Sequence, residues 1–273
     1  MKRFYIFLSC LLILSLAAAC TAIHFGDPNA RSQGSGKVIT QIRPVSNFQR
    51  VSISGIGELV LSQGDQESLM IEAEDNVLEA IQTRVILGTL YINISFENIK
   101  PTRPVKYYLT IKRLTSLHVS GTVYVEAGDI VTKDLSVKAN LVGSVKFASV
   151  QVDSLKIVMM EAGNCEFESV QADDLVVMLG AGSQCEVKGG QVNRQKINVS
   201  GGALYDASNL ISTTSDVKVD GGGNVLIWVI ESLDAVLHGD GILKYYGDPN
   251  LTQDTRDDSI IESLGPHPSA SGT

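Results

Sequence analysis

The chain has 273 residues, with 22 Lys and Arg against 30 Asp and Glu, which gives a formal net charge of -8. This balance offers no electrostatic reason to expect nucleic-acid binding, which needs basic surfaces for the phosphates. A content of 44% hydrophobic and 19% charged residues excludes a chain that is disordered throughout. Four Cys without a CxxC pair indicate neither a disulfide scaffold nor a zinc or thiol-exchange motif.

Residues 1–19 have the three parts of a secretory signal. Two basic residues precede an apolar run over 4–16, which is short for a transmembrane helix. Small residues at 17–19 lead directly to Cys20, and this order resembles the lipobox of bacterial lipoproteins. The resemblance implies cleavage before Cys20 and acylation of that residue. A plain secreted product or a retained signal anchor is the alternative.

Removal of the signal leaves 20 basic and 30 acidic residues in the mature chain. Thr21, in place of Asp after the lipidated Cys, favours the outer membrane by resemblance to enterobacterial sorting, and the periplasmic and surface faces both stay open. Residues 20–37 are rich in Gly, Ser and Asn, so they are interpreted as the lipidated Cys and a flexible tether.

Residues 38–113 contain short apolar alternations broken by Gly and by a Gln-Gly-Asp turn. The pattern predicts several strands and one short helix that Asp75 caps and that runs through Ile81, with Val77 and Leu78 on its buried face. We interpret this region as the irregular opening coils and the cap of the repeat that follows, because a bare terminal coil exposes unpaired strand edges.

Residues 114–250 repeat with a period of about twenty. Leu135, Leu155 and Leu175 lie twenty apart, and a second column follows the same spacing through Val145, Cys165, Cys185, Tyr205 and Val225. Apolar residues alternate in short runs and small residues recur at the turns, with no helical period. The predicted fold is all-β: a single-stranded right-handed parallel β-helix, or β-solenoid, of about seven coils. The right hand follows from the crossover rule, and the inward ladders are expected to be apolar or small throughout.

Residues 251–273 are predicted to form a C-terminal cap and a disordered tail. The last eight residues, PHPSASGT, are typical of a frayed end.

Three strings resemble one bacterial family: NFQRVSISGIGELVLSQGD at 47–65, IEAEDNVLEAIQTRVILGTLYI at 71–92 and PVKYYLTIKRLTSLHVSGT at 104–122. They match the Phe-x-x-Val start, the Gln-Gly-Asp turn, the Asp-Asn helix start and the Leu-x-x-Leu-x-Val-x-Gly step of the auto-transporter adhesin head GIN domain, a domain of unknown function. The resemblance covers about residues 40–250. It implies a β-helix in an exported bacterial protein with a surface or adhesion role, and it brings no catalytic residue with it.

The sequence contains no convergent catalytic or metal-ligating set. Four His are scattered, at His24, His118, His238 and His267, and neither HExxH nor GxSxG is present. Gly pairs and triplets at 201–202 and 221–223 recur at the repeat spacing, so we interpret them as coil corners and not as phosphate loops. We therefore predict no enzyme activity, no metal and no cofactor.

Two columns of the repeat are candidate sites. Cys165 and Cys185 should stack on the inward ladder, where packing as reduced small hydrophobes is favoured and a disulfide in an oxidising compartment is the open alternative. Glu166, Glu186 and Asp206 should form an outward acidic ladder. Solvated like charges are the expected outcome there, with a shared calcium ion as the alternative.

The preferred hypothesis is a non-enzymatic envelope lipoprotein that is held to the membrane by its lipid anchor. Its rigid solenoid would serve adhesion, glycan or envelope-protein binding, or scaffolding. One alternative is a carbohydrate-active β-helix of the polysaccharide lyase type, and the other is a solenoid that assembles with copies of itself. Arg194 is the single Arg between residues 114 and 247, and this scarcity disfavours the lyase.

Overall fold

The structure, a computed structural model, describes residues 32–94, 99–140 and 142–271. The predicted signal and Cys20 lie outside the described residues, so acylation stays a prediction. In the described ranges, no helix combines the length and hydropathy needed to cross a bilayer.

Almost every described segment is a strand. The opening part contains β1 (Ser32–Gln33), β2 (Val38–Arg43), β3 (Arg50–Gln63), β4 (Ser68–Glu74), α1 (Asp75–Ala80), β5 (Ile81–Ile86), β6 (Thr89–Ile94), β7 (Ile99–Lys100) and β8 (Lys106–Ile111). The later part contains β9 (Ser116–Val131), β10 (Asp134–Asn140), β11 (Ser144–Met159), β12 (Asn164–Leu179), β13 (Gln184–Val187), β14 (Gly190–Ser200), β15 (Leu204–Asp220), β16 (Asn224–His238), β17 (Ile242–Tyr246), β18 (Asn250–Thr255) and β19 (Ile260–Ser263), followed by a 3-10 helix at Pro268–Ser271.

The later strands stack in parallel as the coils of a β-solenoid with about seven turns. Leu135 pairs with Leu155, and Leu155 pairs with Leu175, so each coil advances the chain by twenty residues. The predicted solenoid is confirmed. Each rung contributes one residue to every ladder, and neighbouring rungs are about 4.8 Å apart.

The core is the stack of inward side chains. Phe147 and Phe167, one coil apart, are fully buried and have ring centroids 5.0 Å apart with planes 2° from parallel. Full burial of a side chain of this size contributes about 1.5–3 kcal/mol, so a ladder of them stabilises each coil against the next. The prediction that the inward ladders are apolar or small is wrong at Gln195, which is 2% exposed and pairs in register with Leu175.

The last coils are shorter than the others. Asn224 pairs with Ile242, which reduces the step to eighteen residues, after a register shift in which Ile211 lies opposite Trp228. Strands β18 and β19 then add a further coil on β16 and β17. Residues 250–263 therefore continue the solenoid, where the sequence suggested a cap.

The opening coil has one regular and one irregular side. Strand β3 pairs in parallel with β9 on one side and with β6 and β8 on the other. Below these, β4 runs antiparallel to β8, β2 antiparallel to β4, and β5 antiparallel to β6. We call residues 32–113 the cap. The reversal of strand direction ends the parallel stack, so β2 and β5 are its outer strands.

The predicted helix is present as α1. Val77 and Leu78 are buried, with Ile81 buried directly after the helix ends, as expected from their spacing. The capping residue is different from the one predicted. Glu74 occupies the N-cap position without a side-chain capping bond, while Asp75 lies in the first turn and accepts hydrogen bonds from the Ser35 hydroxyl and the Asn76 amide.

Residues 32–37, which the sequence assigns to the tether, are bound to the cap. Strand β1 pairs with β7, and the Gly36 amide donates to the Glu74 carboxylate at 2.7 Å. A Cβ atom at Gly34 would lie 2.0 Å from Oε2 of Glu74. The small residues that suggested flexibility are thus needed for close backbone approach. These contacts contradict the tether interpretation for 32–37, and the rest of the predicted tether is outside the described residues.

The start of the C-terminal tail is also ordered by contacts. The His267 ring stacks on Trp228 with centroids 3.9 Å apart and planes 8° from parallel, and it meets Tyr246 edge-on at 4.9 Å. His267 is 7% exposed, and its Nδ1 accepts a hydrogen bond from the Ser269 amide at 3.2 Å. The prediction of a frayed end is wrong for these residues, because the aromatic faces of the last coils bind them.

Candidate functional site: the outward ladders

Glycines at one corner of the coils allow the chain to turn. Gly201, Gly221 and Gly239 have φ angles of 62°, 91° and 91°, and a Cβ atom at Gly239 would lie 2.9 Å from Cα of Gly221. The left-handed backbone disfavours a side chain at all three positions, and at Gly239 the neighbouring coil leaves no room for one either. The interpretation of the glycines at 201–202 and 221–223 as coil corners agrees with the turns observed there, and Gly239 adds a corner that the sequence analysis did not name.

Cys165 and Cys185 pair in register on the inward face, 4% and 2% exposed. Their sulfurs are joined in a disulfide, with a Cα separation of 4.5 Å. The sequence argument favoured two reduced cysteines, and the structure differs from it. In-register stacking on adjacent rungs brings the two Cα atoms within the range that a disulfide can span. The bridge is sealed from solvent, which suits a structural and not a catalytic thiol pair.

Glu166, Glu186 and Asp206 lie in register on the outward side of the same column. They line a shallow groove of about 460 Å³ together with Asn164 and Gln184. The ladder is not purely anionic, because Lys146 one coil before Glu166 contacts that carboxylate at 2.8 Å. Hydrogen bonds from Lys146 and from Lys188 lower the pKa of Glu166 to about 2, against the opposing effect of burial.

Lys188 and Glu168 complete this charge cluster and were missed at the sequence level. Lys188 donates to Glu166 at 2.6 Å and to Glu168 at 3.1 Å, while Lys146 also reaches Glu168 at 2.9 Å. The signal was available, since Glu168 and Lys188 are separated by one repeat. Two lysines and two glutamates neutralise one another, so the cluster joins three coils and leaves little free charge for a ligand.

The acidic ladder does not assemble a metal site. In residues 32–94, 99–140 and 142–271, no group of three His, Cys, Asp or Glu is placed to hold a metal ion. The scattered histidines are apart as well, with His118 3.4 Å from the Asn140 amide and His238 3.6 Å from the Asp220 carboxylate. His24 lies outside the described residues.

A second outward surface is polar and mostly uncharged. Gln151, Gln171 and Gln191 pair in register on three successive coils, and the Asn193 amide donates to Asp173 beside them at 2.8 Å. We call these five residues the amide face. All five are exposed, and they line an open groove of about 500 Å³. The sequence analysis missed this face, although the twenty-residue spacing of the three Gln is its signal.

A third groove, of about 590 Å³, contains Arg194. Its guanidinium binds Asp174 through two bonds, Nε to Oδ1 at 2.5 Å and Nη2 to Oδ2 at 2.7 Å. Arg194 holds the pKa of Asp174 below its ordinary value, against the opposing effect of burial. The cation that a lyase would need for its substrate is thus engaged in a structural pair.

A buried polar network crosses the core behind this groove. The Gln195 amide donates to the Tyr205 hydroxyl at 2.6 Å, and Ser215 donates to the Gln195 carbonyl oxygen at 3.4 Å. Ser212 donates to the Trp228 carbonyl at 2.8 Å, and its oxygen lies 2.9 Å from the Ser215 hydroxyl, whose single proton can be donated either to Ser212 or to Gln195. Burial raises the pKa of Tyr205, which therefore stays a neutral hydroxyl. Each polar group has a partner, which is what makes these residues tolerable inside the core.

The profile of one protein family, described as "Putative auto-transporter adhesin, head GIN domain", matches residues 47–249. The chain belongs to this family. The matched range runs from just before β3 to just after β17, so it includes the cap from β3 onward and the coils that carry the outward ladders. Membership in the head GIN family supports an exported protein and an adhesion-type, non-catalytic role at the level of the family.

Solved structures share the head GIN fold at low sequence identity. A protein of Parabacteroides distasonis described as a "putative lipid binding protein" is 22% identical with a TM-score of 0.81, covering 86% of this chain and 100% of its own. A "putative adhesin" of Parabacteroides merdae is 17% identical with a TM-score of 0.83, covering 86% and 99%. A "putative adhesin" of Bacteroides fragilis is 22% identical with a TM-score of 0.66, covering 85% and 99%. No curated protein sequence matches the chain.

Proposed function

We propose that this head GIN protein is a non-enzymatic envelope lipoprotein that binds an extended glycan along the amide face. The observation that carries the proposal is the register of Gln151, Gln171 and Gln191, which places three equal, exposed amides on successive rungs. An amide side chain can both donate and accept hydrogen bonds, as the hydroxyl groups of a sugar require.

The geometry suits a repeating ligand. The rungs are about 4.8 Å apart and the backbone ladder fixes their spacing, so the frame needs no rearrangement when a polymer lies across it and only the Gln rotamers have to be ordered. The groove of about 500 Å³ is open along the stack, where a closed pocket would select a single small molecule. Several weak contacts on one chain then add through high effective concentration.

The lipid anchor is the second part of the proposal. Cys20 follows three Ala residues, and the segment before it has the basic start and short apolar run of an exported precursor. Three acyl chains exceed the two hydrophobic signals that give stable membrane attachment. Labelled palmitate should enter the protein and should be lost with Cys20→Ser. Retention of the label in that variant would refute the anchor. Because the family's role supports a surface or exported protein, we propose the outer membrane as the membrane that carries the anchor.

A glycan array probed with the purified mature protein tests the binding function. The triple variant Gln151→Ala, Gln171→Ala and Gln191→Ala should lose at least tenfold in affinity for any glycan that binds. The matched control replaces three neutral side chains in the Arg194 groove: Ser154→Ala, Thr214→Ala and Ser232→Ala. Equal loss in both variants, or no loss in the first, would place the ligand elsewhere.

The purified mature protein also tests the alternative that the solenoid is a polysaccharide lyase. Because Arg194 is held by Asp174, we expect no turnover when the protein is incubated with polyuronides and product absorbance is followed. Turnover that disappears with Arg194→Ala would replace the binding proposal with a lyase.

A further inference from the structure

The two most exposed large apolar side chains of the described residues both belong to the cap. Leu87 is 89% exposed and Ile42 is 76% exposed. Ile42 lies on β2, which pairs with β4, and Leu87 lies in the turn between β5 and β6. Both strands are outer strands of the cap, so these side chains are at the end of the molecule opposite the last coil.

These side chains are held on structured backbone. The carbonyl of Gly88, next to Leu87, accepts the amides of Gln49 and Arg50 at 3.1 and 3.2 Å, and the Arg50 guanidinium donates to the carbonyl of Leu87. Residues 44–49 connect β2, the strand of Ile42, to β3. The Gln49 amide at the end of this connection is one of the two donors to Gly88, so the connection links the strand of Ile42 to the turn of Leu87. Hydrogen bonds therefore hold the turn of Leu87 in place, so its exposed side chain occupies a fixed position on the surface.

Partly exposed apolar residues extend this surface along both outer strands. Val38, which shares a face of β2 with Ile42, and Ile86 are 42% and 45% exposed. Two exposed basic side chains lie among them: Arg84, two residues before Ile86, and Arg50, which donates to the Leu87 carbonyl. Apolar and basic residues in this mixture are typical of surfaces that lie against anionic lipid headgroups.

The charge of the molecule is divided along its length. Residues 32–113 hold nine basic and eight acidic side chains, whereas residues 114–271 hold ten basic and 21 acidic ones, a balance of +1 against -11. An anionic membrane would therefore repel the coils and accept the cap. At physiological ionic strength this discrimination acts within about 8 Å of the surface.

The chain also enters the structure at this end. Residues 32–37 are bound to the cap, so the segment that leads back to Cys20 starts from the cap and not from the coils. Eleven residues, 21–31, separate Cys20 from Ser32 and can span at most about 40 Å. An anchor at Cys20 would keep the cap close to the bilayer.

We propose that the cap is a membrane-facing surface, on which Ile42 and Leu87 enter the interfacial region of an anionic bilayer while the acidic coils project away from it. This inference rests on the proposed lipid anchor, which brings the cap to the membrane. The contact orients the solenoid, so the amide face is presented at a fixed height and angle.

The lipidated mature protein in vesicles of phosphatidylethanolamine and phosphatidylglycerol tests this orientation. The chain contains a single Trp, Trp228, in the last coils, which serves as an internal reference far from the cap. Leu87→Trp should add emission that brominated lipids quench at least twofold. The control Met160→Trp, at a side chain that is 50% exposed on a middle coil, should add emission that they leave unchanged. Equal quenching of both variants, or none at residue 87, would overturn the inference.

A second measurement removes the dependence on the anchor. The mature chain with Cys20→Ser should sediment with phosphatidylglycerol vesicles, and Ile42→Glu with Leu87→Glu should weaken this association at least tenfold. Met160→Glu with Leu204→Glu, which replaces two exposed side chains of the coils, is the matched control. Palmitate labelling tests the anchor separately. A protein that is acylated but whose Trp at position 87 is not quenched would refute the membrane-facing cap and leave the anchor standing. Concentration-dependent self-association through Ile42 and Leu87 without lipid would assign the surface to a second copy and overturn it.

Discussion

Replacement of Tyr205 by Phe tests the buried polar network directly. Tyr205 is fully buried, and its hydroxyl oxygen accepts the Gln195 amide at 2.6 Å. Without that oxygen, one N–H of Gln195 is left unpaired in the core, which costs about 1–3 kcal/mol of unfolding free energy. For a chain of this size the corresponding decrease in Tm is about 2–10 °C. Tyr124→Phe makes the same chemical change at a ring that is 54% exposed, and should alter stability by less than about 0.5 kcal/mol.

The double variant Tyr205→Phe with Gln195→Leu supplies the sharper comparison. Leu175 pairs with Gln195 in the coil before it, so Leu continues an existing ladder and needs no partner. Stability should return to within about 1 kcal/mol of the wild type, because both polar partners are removed together. Urea unfolding followed by circular dichroism and by Trp228 fluorescence measures this, with coincident transitions as the two-state check. If Tyr205→Phe costs no more than Tyr124→Phe, or the double variant costs the sum of the single changes, the network is not what stabilises this part of the core.

Three further perturbations probe the solenoid. Gly190→Ala would place Cβ 1.9 Å from the Val170 carbonyl oxygen at a φ of +116°, so urea unfolding should show a loss of about 2 kcal/mol or more. Gly222→Ala meets no atom within 4 Å and should be nearly neutral; similar losses would contradict the steric reasoning. Reduction of the disulfide closed by Cys165, across a separation of 20 residues, should lower the unfolding free energy by about 3 kcal/mol, while thiol titration of the denatured, unreduced protein should find this pair blocked. The pKa of Glu166 is lowered from 4.5 to about 2, so its contribution is complete above pH 4.5 and disappears as the pH falls towards 2. The stability difference between wild type and Glu166→Gln should shrink over that interval, and a constant difference would show that the Lys146 and Lys188 contacts do not act through this charge.

The regular coils were predictable because every residue there is constrained by its equivalent one coil away. A parallel ladder must repeat its inward residue type at the coil period, so Leu135, Leu155 and Leu175 reveal both the fold and the register. The same twenty-residue spacing links Lys146 with Glu166 and Glu168 with Lys188, although the sequence analysis did not use it to pair these charges. Periodicity places Gln195 inward, in the column of Leu175, but it could not predict how a polar side chain there would be compensated, since the Tyr205 hydroxyl that accepts its amide comes from a different ladder.

The ends of the molecule were less predictable because the repeat does not constrain them. Gly34 and Gly36 suggest flexibility by composition, yet they are the residues that let the backbone approach Glu74. Burial raises the pKa of Glu74, but donors from Thr102, Gly36 and Arg103 outweigh this and hold it below the ordinary value. At the other end, His267 is fixed by the faces of Trp228 and Tyr246, which only the folded coils bring together.

A ladder surface also determines how binding should respond to mutation. Each rung of the amide face offers a similar contact, so loss of one Gln removes one of several parallel interactions and leaves the effective concentration of the others unchanged. A single substitution is therefore expected to change affinity by only a few-fold, whereas replacement of the whole column should lower it at least tenfold. This graded response distinguishes a ladder from a pocket, in which one buried side chain dominates the affinity. The same construction explains how proteins of 22% and 17% identity share this fold: the backbone ladder and the inward stack preserve the frame, and the outward columns are free to vary.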